Sequence, residues 1–318
     1  MPSYHLFSID LLKGLAIIAV LLWHSVPLDI QQQTLFEFHV GQSIPIFLVL
    51  MGLNYGMSFA RKKYHRGVIY PRQFLFKQLK RFGIPFLLAF AASLIVGYWR
   101  FLLTGMNRLR LNRYLLLGRL PSPGPGNYYI SALIQFILIF PLLYKLYRTS
   151  PRLTVILIFA LDLSFQILTS FYIPFASMTY FIFGYLSPVG LGLWLSTDRR
   201  LLSPRNKPLA VAGIVSLAYL IFNRLICPNL TCLYFPSWTT QNVFSSFYAG
   251  LLVMLGLRWL PRRPITRLKP LSFIGQASFH IFLIQIIYFS VNPFQVVILD
   301  VLINLSLGSL FYKVTNQA

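Results

Sequence analysis

Three ionisable residues share the first long apolar run of this chain, Ile9-Asp-Leu-Leu-Lys-Gly-Leu-Ala-Ile-Ile-Ala-Val-Leu-Leu-Trp-His24. If the run is a helix, Lys13 and His24 are just over three turns apart. They then project from nearly one face, roughly 16 Å apart along the axis. Asp10 lies one turn before Lys13 and can pair with it. A cation at one end suits a phosphate group. A neutral imidazole further along suits a general base, since its ordinary pKa is near neutrality. Gly14 lets a backbone or a ligand approach beside Lys13. An elongated anionic ligand could lie along the stripe. The plainer alternative has Lys13 snorkelling to an interface and His24 hydrogen-bonded in packing. Ionisable groups inside a membrane span cost about 2.5–3.5 kcal/mol on insertion scales, which tilts such residues toward function.

Other polar residues fall in apolar surroundings: Asp162, His280 and Asp300, with the neutral Gln135, Gln166 and Gln285. Asp162 and Asp300 are expected to be structural, paired with Arg or Lys or carried as protonated acids. His280 is expected to pack. Cys227 and Cys232 make neither a disulfide framework nor a metal site, and their spacing leaves open whether they pair. Asn229-Leu-Thr231 fits a glycosylation sequon, relevant only on a secretory route. No Gly-rich nucleotide loop, His-Glu-x-x-His or Gly-x-Ser-x-Gly elbow occurs. With Asp+Glu at only 6, the composition also argues against a paired-carboxylate glycosidase.

The elements that must hold these residues follow from composition. Of 318 residues, 57% are hydrophobic and 11% charged, and the mean hydropathy is +0.67. Such a chain cannot cover itself with polar groups, so lipid must cover part of it. A span needs roughly 20 mostly apolar residues. The sequence predicts ten: 7–27, 40–60, 83–104, 128–147, 153–170, 177–196, 209–226, 241–260, 272–291 and 294–313. The fifth carries Asp162 and Gln166; the last two are separated by a turn at Asn292-Pro293. The fold class is therefore an all-α polytopic membrane protein with about ten transmembrane helices. The first residues carry no basic signal-peptide start.

The formal charge of +22 would point to nucleic acid in a soluble protein. Placed on the spans, all the cations except Arg100, Arg108, Arg110, Arg113, Arg119 and Arg224 fall on one side. The positive-inside rule then predicts both termini in the cytoplasm, and no nucleic-acid partner is implied. The basic 105–127 loop is the exception, placed outside. Segment 71–82 alternates apolar and basic residues, as an amphipathic helix on the inner face would. Leu120-Pro-Ser-Pro-Gly-Pro-Gly-Asn127 reads as a rigid turn. No internal repeat supports a transporter architecture.

Several stretches resemble the acyltransferase 3 family of integral membrane acyltransferases. Asp10-x-x-Lys13-Gly-Leu-Ala…His24 is similar to its first-helix signature of Arg, ten residues, then His. Val40 to Gly52 resembles its second helix. Lys77-Gln-Leu-Lys-Arg81-Phe-Gly-Ile-Pro85 resembles its basic pair followed by Pro. Asn127-Tyr-Tyr-Ile-Ser-Ala-Leu-Ile-Gln135, on to Pro141, resembles a mid-family run. Leu271 to Gln285 resembles its late Gly-x-x-Ser-x-x-x-Tyr-Leu-x-His stretch. Lys13 stands for Arg, Met51 for Ser and Gln285 for His.

The resemblance implies one transmembrane acyltransferase domain over 1–318. It implies transfer of an acyl group, often acetyl, from acyl-CoA to a hydroxyl of a glycan or polysaccharide precursor. His24 would be the catalytic base with Asp10 beside it. Lys13, Lys77, Lys80 and Arg81 would hold the CoA phosphates, and Asn127, Tyr128, Gln135, Ser278 and Gln285 would support the acceptor side. No metal and no bound cofactor are implied; acetyl-CoA or another acyl-CoA is a substrate. Partners are membrane lipid, acyl-CoA and a saccharide acceptor, with a homo-oligomer open, in a bacterial inner membrane. A flippase or transporter for a glycan or anionic metabolite, or a non-catalytic family member, is the alternative.

Overall fold

The computed structural model describes residues 7–62, 70–105, 118–172, 180–197, 207–226, 241–291 and 296–317. Among these residues every regular element is a helix. In chain order they are α1 (Phe7–Ser25), α2 (Ser43–Lys62), α3 (Arg72–Thr104), α4 (Asn127–Thr149), α5 (Pro151–Phe171) and α6 (Leu186–Thr197). Then come α7 (Lys207–Ile226), α8 (Ser245–Trp259), α9 (Lys269–Gln276), α10 (Ser278–Val291) and α11 (Val297–Gln317). Seven helices are long and apolar enough to cross a membrane, and α9 with α10, bent by 59° between them, would make an eighth. The chain is a multi-pass integral membrane protein.

Every expected span overlaps helix, but 177–196 meets only the short α6, past positions outside the described residues, and 272–291 meets the bent pair α9 and α10. The count of crossings is a separate matter, because α6 has 12 residues and α8 has 15. At 1.5 Å per residue, 15 residues cover about 22 Å, less than the roughly 30 Å of hydrocarbon. A short helix is tolerated at membrane depth when protein surrounds it. α6 meets that condition: Leu186, Val189, Leu191, Leu193 and Leu195 are all buried. The turn at Asn292-Pro293, Cys227, Cys232, the 229–231 sequon and most of the basic 105–127 loop lie outside the described residues.

Small residues let the inner helices meet backbone to backbone. A Cβ on Gly52 of α2 would collide with the Val189 carbonyl of α6, and one on Gly192 would collide with the Val49 carbonyl of α2. The two helices therefore cross at reciprocal glycines, the usual device where no hydrophobic effect drives association. α9 is clamped on α1 in the same way, since a Cβ on Gly275 would fall on the Asp10 carbonyl. The backbone that Gly14 admits beside Lys13 is that of Leu271. By contrast α3 presents Ile95, Tyr98, Trp99, Leu102 and Leu103 outward, a face suited to lipid.

The amphipathic 71–82 stretch is helical, but it is not a separate surface helix. It continues through a π-helical turn, Leu79–Gly83, into the rest of α3. Pro85 has no N–H to offer the Arg81 carbonyl, so the regular ladder loses a bond there. A π turn is a common way to absorb such a break.

Candidate active site

A cavity of about 720 Å³ opens among α1, α2, α3, α4, α9, α10 and α11. It lies toward the end of the bundle that carries both chain termini, since Asp10 of α1 and Asn316 of α11 are both in its wall. On α2 its wall is Phe47, Met51, Asn54, Tyr55, Ser58 and Arg61. These spacings follow one helix face over 14 residues, or about 21 Å. The chemistry changes steadily along that face, from the guanidinium of Arg61 through Ser58, Tyr55 and Asn54 to Met51 and Phe47. α1 repeats the gradient with Asp10, Lys13 and Ile17.

The mouth is cationic. Lys13, Arg61, Lys77, Lys80 and Arg81 line it against one carboxylate, Asp10, among the described wall residues. Arg61, Lys77, Lys80 and Arg81 are exposed there. Lys13 Nζ lies 3.7 Å from Asp10 Oδ1, the pairing expected of their spacing. Gln276 Nε2 donates to Asp10 Oδ2 at 3.1 Å, so α9 also holds the carboxylate. The Arg81 guanidinium lies 5.0 Å from the centre of the Phe82 ring. Tyr55 donates to Gln78 Oε1 at 2.6 Å, fixing the basic stretch of α3 against α2.

The closed end is apolar. Phe47 and Tyr129 have ring centres 6.5 Å apart, and Tyr129 and Phe282 have theirs 5.0 Å apart. Together they form a floor. Behind it, on the side away from the termini, sits the turn-rich loop. Asn127 pins that loop: Leu120 N donates to its Oδ1 at 2.7 Å, and its Nδ2 donates to Leu120 O at 2.9 Å and Ser122 O at 2.8 Å. Gln285 Nε2 donates to Pro125 O at 3.0 Å. Gly126 takes φ +81 against the Phe282 ring and Gln285, a left-handed conformation natural to glycine.

The predicted site residues thus divide. Asp10, Lys13, Lys77, Lys80, Arg81 and Ser278 come together in the cavity wall. Asn127 and Gln285 hold the loop behind the floor. Gln135 Nε2 donates to Tyr180 O at 2.5 Å and its Oε1 accepts from Ile182 N at 3.2 Å, holding the segment that leads into α6. Tyr128 stacks on Tyr185 at 5.9 Å. His24 is half-buried and does not line the cavity. The deepest α1 residue in the wall is Ile17, and His24 is seven residues, about 10 Å, further along the same helix. Val20 and Leu21 are buried between them, and the His24 ring lies 5.9 Å from that of Phe289.

The remaining ionisable residues take structural partners. Asp162 accepts from Ser187 N at 2.7 Å and Gln166 Nε2 at 2.8 Å, and Asp300 accepts from Tyr288 OH at 2.6 Å. Amide and hydroxyl donors thus stand in place of an Arg or Lys partner, the first of the two arrangements expected, while the structural role expected of both is the one seen. His280 packs on Phe311 and Tyr312 as anticipated, yet it also reaches the cavity wall. Sequence reasoning passed over Arg61, Tyr55 and Tyr129. Arg61 was absorbed into the topological charge; the α2 spacing down to Phe47 was the signal that could have singled it out. No group of three or more His, Cys, Asp or Glu able to hold a metal occurs among the described residues.

Fold and site together define a polytopic membrane protein with an elongated cavity, cationic at its mouth and apolar at its floor. A family model for an acyltransferase domain, that of the acyltransferase 3 family, matches residues 6–311. The chain belongs to that family, which supports acyltransferase activity in general terms. No curated protein and no solved structure matches the chain.

Proposed function

We propose that this protein is a membrane O-acyltransferase that takes an acyl group, acetyl in the simplest case, from acyl-CoA. The acceptor is a hydroxyl of a glycan or polysaccharide precursor. The observation that carries the reading is the cavity: five cations at its mouth and an apolar floor suit a phosphate-bearing donor with an apolar reacting end. Lysine and arginine bind phosphate as point charge and as planar fork respectively. The positive-inside assignment puts the mouth in the cytoplasm, where acyl-CoA resides, and the membrane is the bacterial inner membrane.

In this mechanism the mouth cations hold the phosphates, and the pantetheine arm runs along α1 and α2 toward the floor. Asp10 keeps Lys13 oriented into the cavity. His24 receives the acceptor outside the cavity wall, takes the proton of its hydroxyl, and the oxygen attacks the thioester carbonyl. The C–S bond breaks and the CoA thiolate leaves, taking up a proton. Because His24 lies two turns of α1 beyond Ile17 and outside the cavity wall, with Val20 and Leu21 buried in between, turnover requires side chains there to move aside.

Protein purified into lipid nanodiscs tests the reading. CoA should stabilise it against heat, and acetyl-CoA should be consumed when an extract of cell-surface saccharide is added. Saccharide movement across the bilayer without thioester loss would identify a transporter instead. Stabilisation by CoA without turnover under any acceptor would identify a non-catalytic binding member.

A further inference from the structure

The closed end of the cavity has a length that can be read off its helices. Arg61 and Met51 are ten residues apart on one face of α2, about 15 Å. The arm joining the diphosphate of CoA to its sulfur has twelve bonds, and at roughly 1.2 Å per bond an extended chain of that length reaches about 14 Å. With the phosphates at the Arg61 level, the sulfur comes to Met51. Beyond Met51 the α2 wall continues for four residues, about 6 Å, to Phe47. There the Phe47, Tyr129 and Phe282 rings close it. Leu133 and Ile17 complete the apolar walls.

We infer that this end is a pocket for a short acyl chain, that its floor rings limit how long a chain fits in line, and that Met51 limits the width beside the sulfur into which a longer chain could fold. The inference rests on the acyl-CoA reading. A depth of about 6 Å takes about four carbons at the same extension per bond. Met51 is buried, and its unbranched thioether adjusts to small differences in filling. The floor has less freedom, because Gly126 of the loop pinned by Asn127 and Gln285 packs against Phe282, and Phe282 and Phe47 both pack on Tyr129. Acetyl, propionyl and butyryl groups fit below the floor. Hexanoyl and longer groups meet the rings. Removing the Met51 side chain opens lateral space beside the sulfur, and enlarging it to an aromatic ring removes space already there.

The test measures binding of CoA, acetyl-CoA, butyryl-CoA, hexanoyl-CoA and octanoyl-CoA to the nanodisc-embedded protein by calorimetry. The readout is the ratio of affinities across the series, which cancels any loss common to all ligands. The wild type should bind octanoyl-CoA at least tenfold more weakly than butyryl-CoA. Met51→Ala should shrink that gap to threefold or less. Met51→Phe should weaken butyryl-CoA relative to acetyl-CoA by about tenfold. A series in which CoA binds but affinity ignores chain length, in the wild type and both variants, overturns the inference and leaves the acyl-CoA reading intact. Failure of CoA itself to bind the folded wild type overturns both.

Discussion

At the end of the bundle that carries the termini, five cations face an open cavity, and Asp10 is the one acidic wall residue among those described. At the other end comparable polar groups face protein rather than that cavity. Arg224 Nε donates to Glu37 Oε1 at 2.5 Å, Arg119 lies over the Tyr180 ring, and Asn127 and Gln285 bond the backbone of the turn-rich loop. The difference teaches where to look for a ligand. Polar groups turned onto the protein hold structure, whereas a wall with surplus positive charge and open volume is suited to something that is not protein. His24 does not line the cavity and belongs to neither group. The comparison therefore predicts that binding and chemistry separate by position.

The largest effect should come from that separation. His24→Ala should lower acyl transfer by about 10²–10⁴-fold, the usual contribution of a general base. Affinity for CoA should change by less than about threefold. If both fall together, His24 is part of the donor site and the division between the two ends fails. Retained wild-type transfer would remove His24 from the mechanism.

Next in size is the far end's structural role. Asn127→Ala leaves the Leu120 N–H and the Leu120 and Ser122 carbonyls without their partner. Each buried orphan costs about 1–3 kcal/mol, and partial relaxation should leave a net loss of about 3 kcal/mol. A clear drop in melting temperature in nanodiscs checks it, and Asn127→Asp should recover only part, since a carboxylate cannot donate to those carbonyls. A variant that melts like the wild type would show that the loop is not held as described.

At the cationic mouth, Arg81→Ala should weaken CoA binding by about tenfold or more, since a hydrogen bond to a charged group is worth about 1.5–3 kcal/mol. The effect should shrink as salt is raised, because the guanidinium is exposed and screened. A loss independent of salt would argue for a packing role through Phe82 instead.

Much of this arrangement was legible in the residue pattern, for reasons that also explain what was not. The long spans read clearly because about 20 apolar residues in a row favour one solution, whereas the shortness of α6 and α8 did not show in composition. The pairing of Asp10 with Lys13 was legible because it lies within one helix. The wall cations on α1 and α3 were named from their types and family spacing. Arg61 was not, because a cation at the end of a span is indistinguishable in sequence from ordinary topology. Asn127, Gln135 and Gln285 looked like acceptor-side residues; their partners are backbone groups of loops, which side-chain spacing does not encode. The helical periodicity that puts Lys13 and His24 on one face held as arithmetic. It could not show that the cavity wall on α1 would end at Ile17, with Val20 and Leu21 buried before His24 is reached.

The smallest expected effect is the control for the comparison. Glu37→Gln removes the partner of Arg224 at the far end, where the pair is partly exposed, with the arginine side chain at 37% and the carboxylate at 16% of full accessibility. Surface pairs of this kind contribute about 0–1 kcal/mol after screening and side-chain ordering. The variant should therefore melt within a degree or two of the wild type and bind CoA with unchanged affinity. It gains a formal positive charge just as a cavity carboxylate substitution would, but on the wrong side of the floor. If it nonetheless altered CoA affinity, long-range charge rather than the cavity wall would govern binding. An Asp10→Asn variant, making the same charge change inside the wall, should by contrast move CoA affinity measurably, because it frees Lys13 from the partner 3.7 Å away.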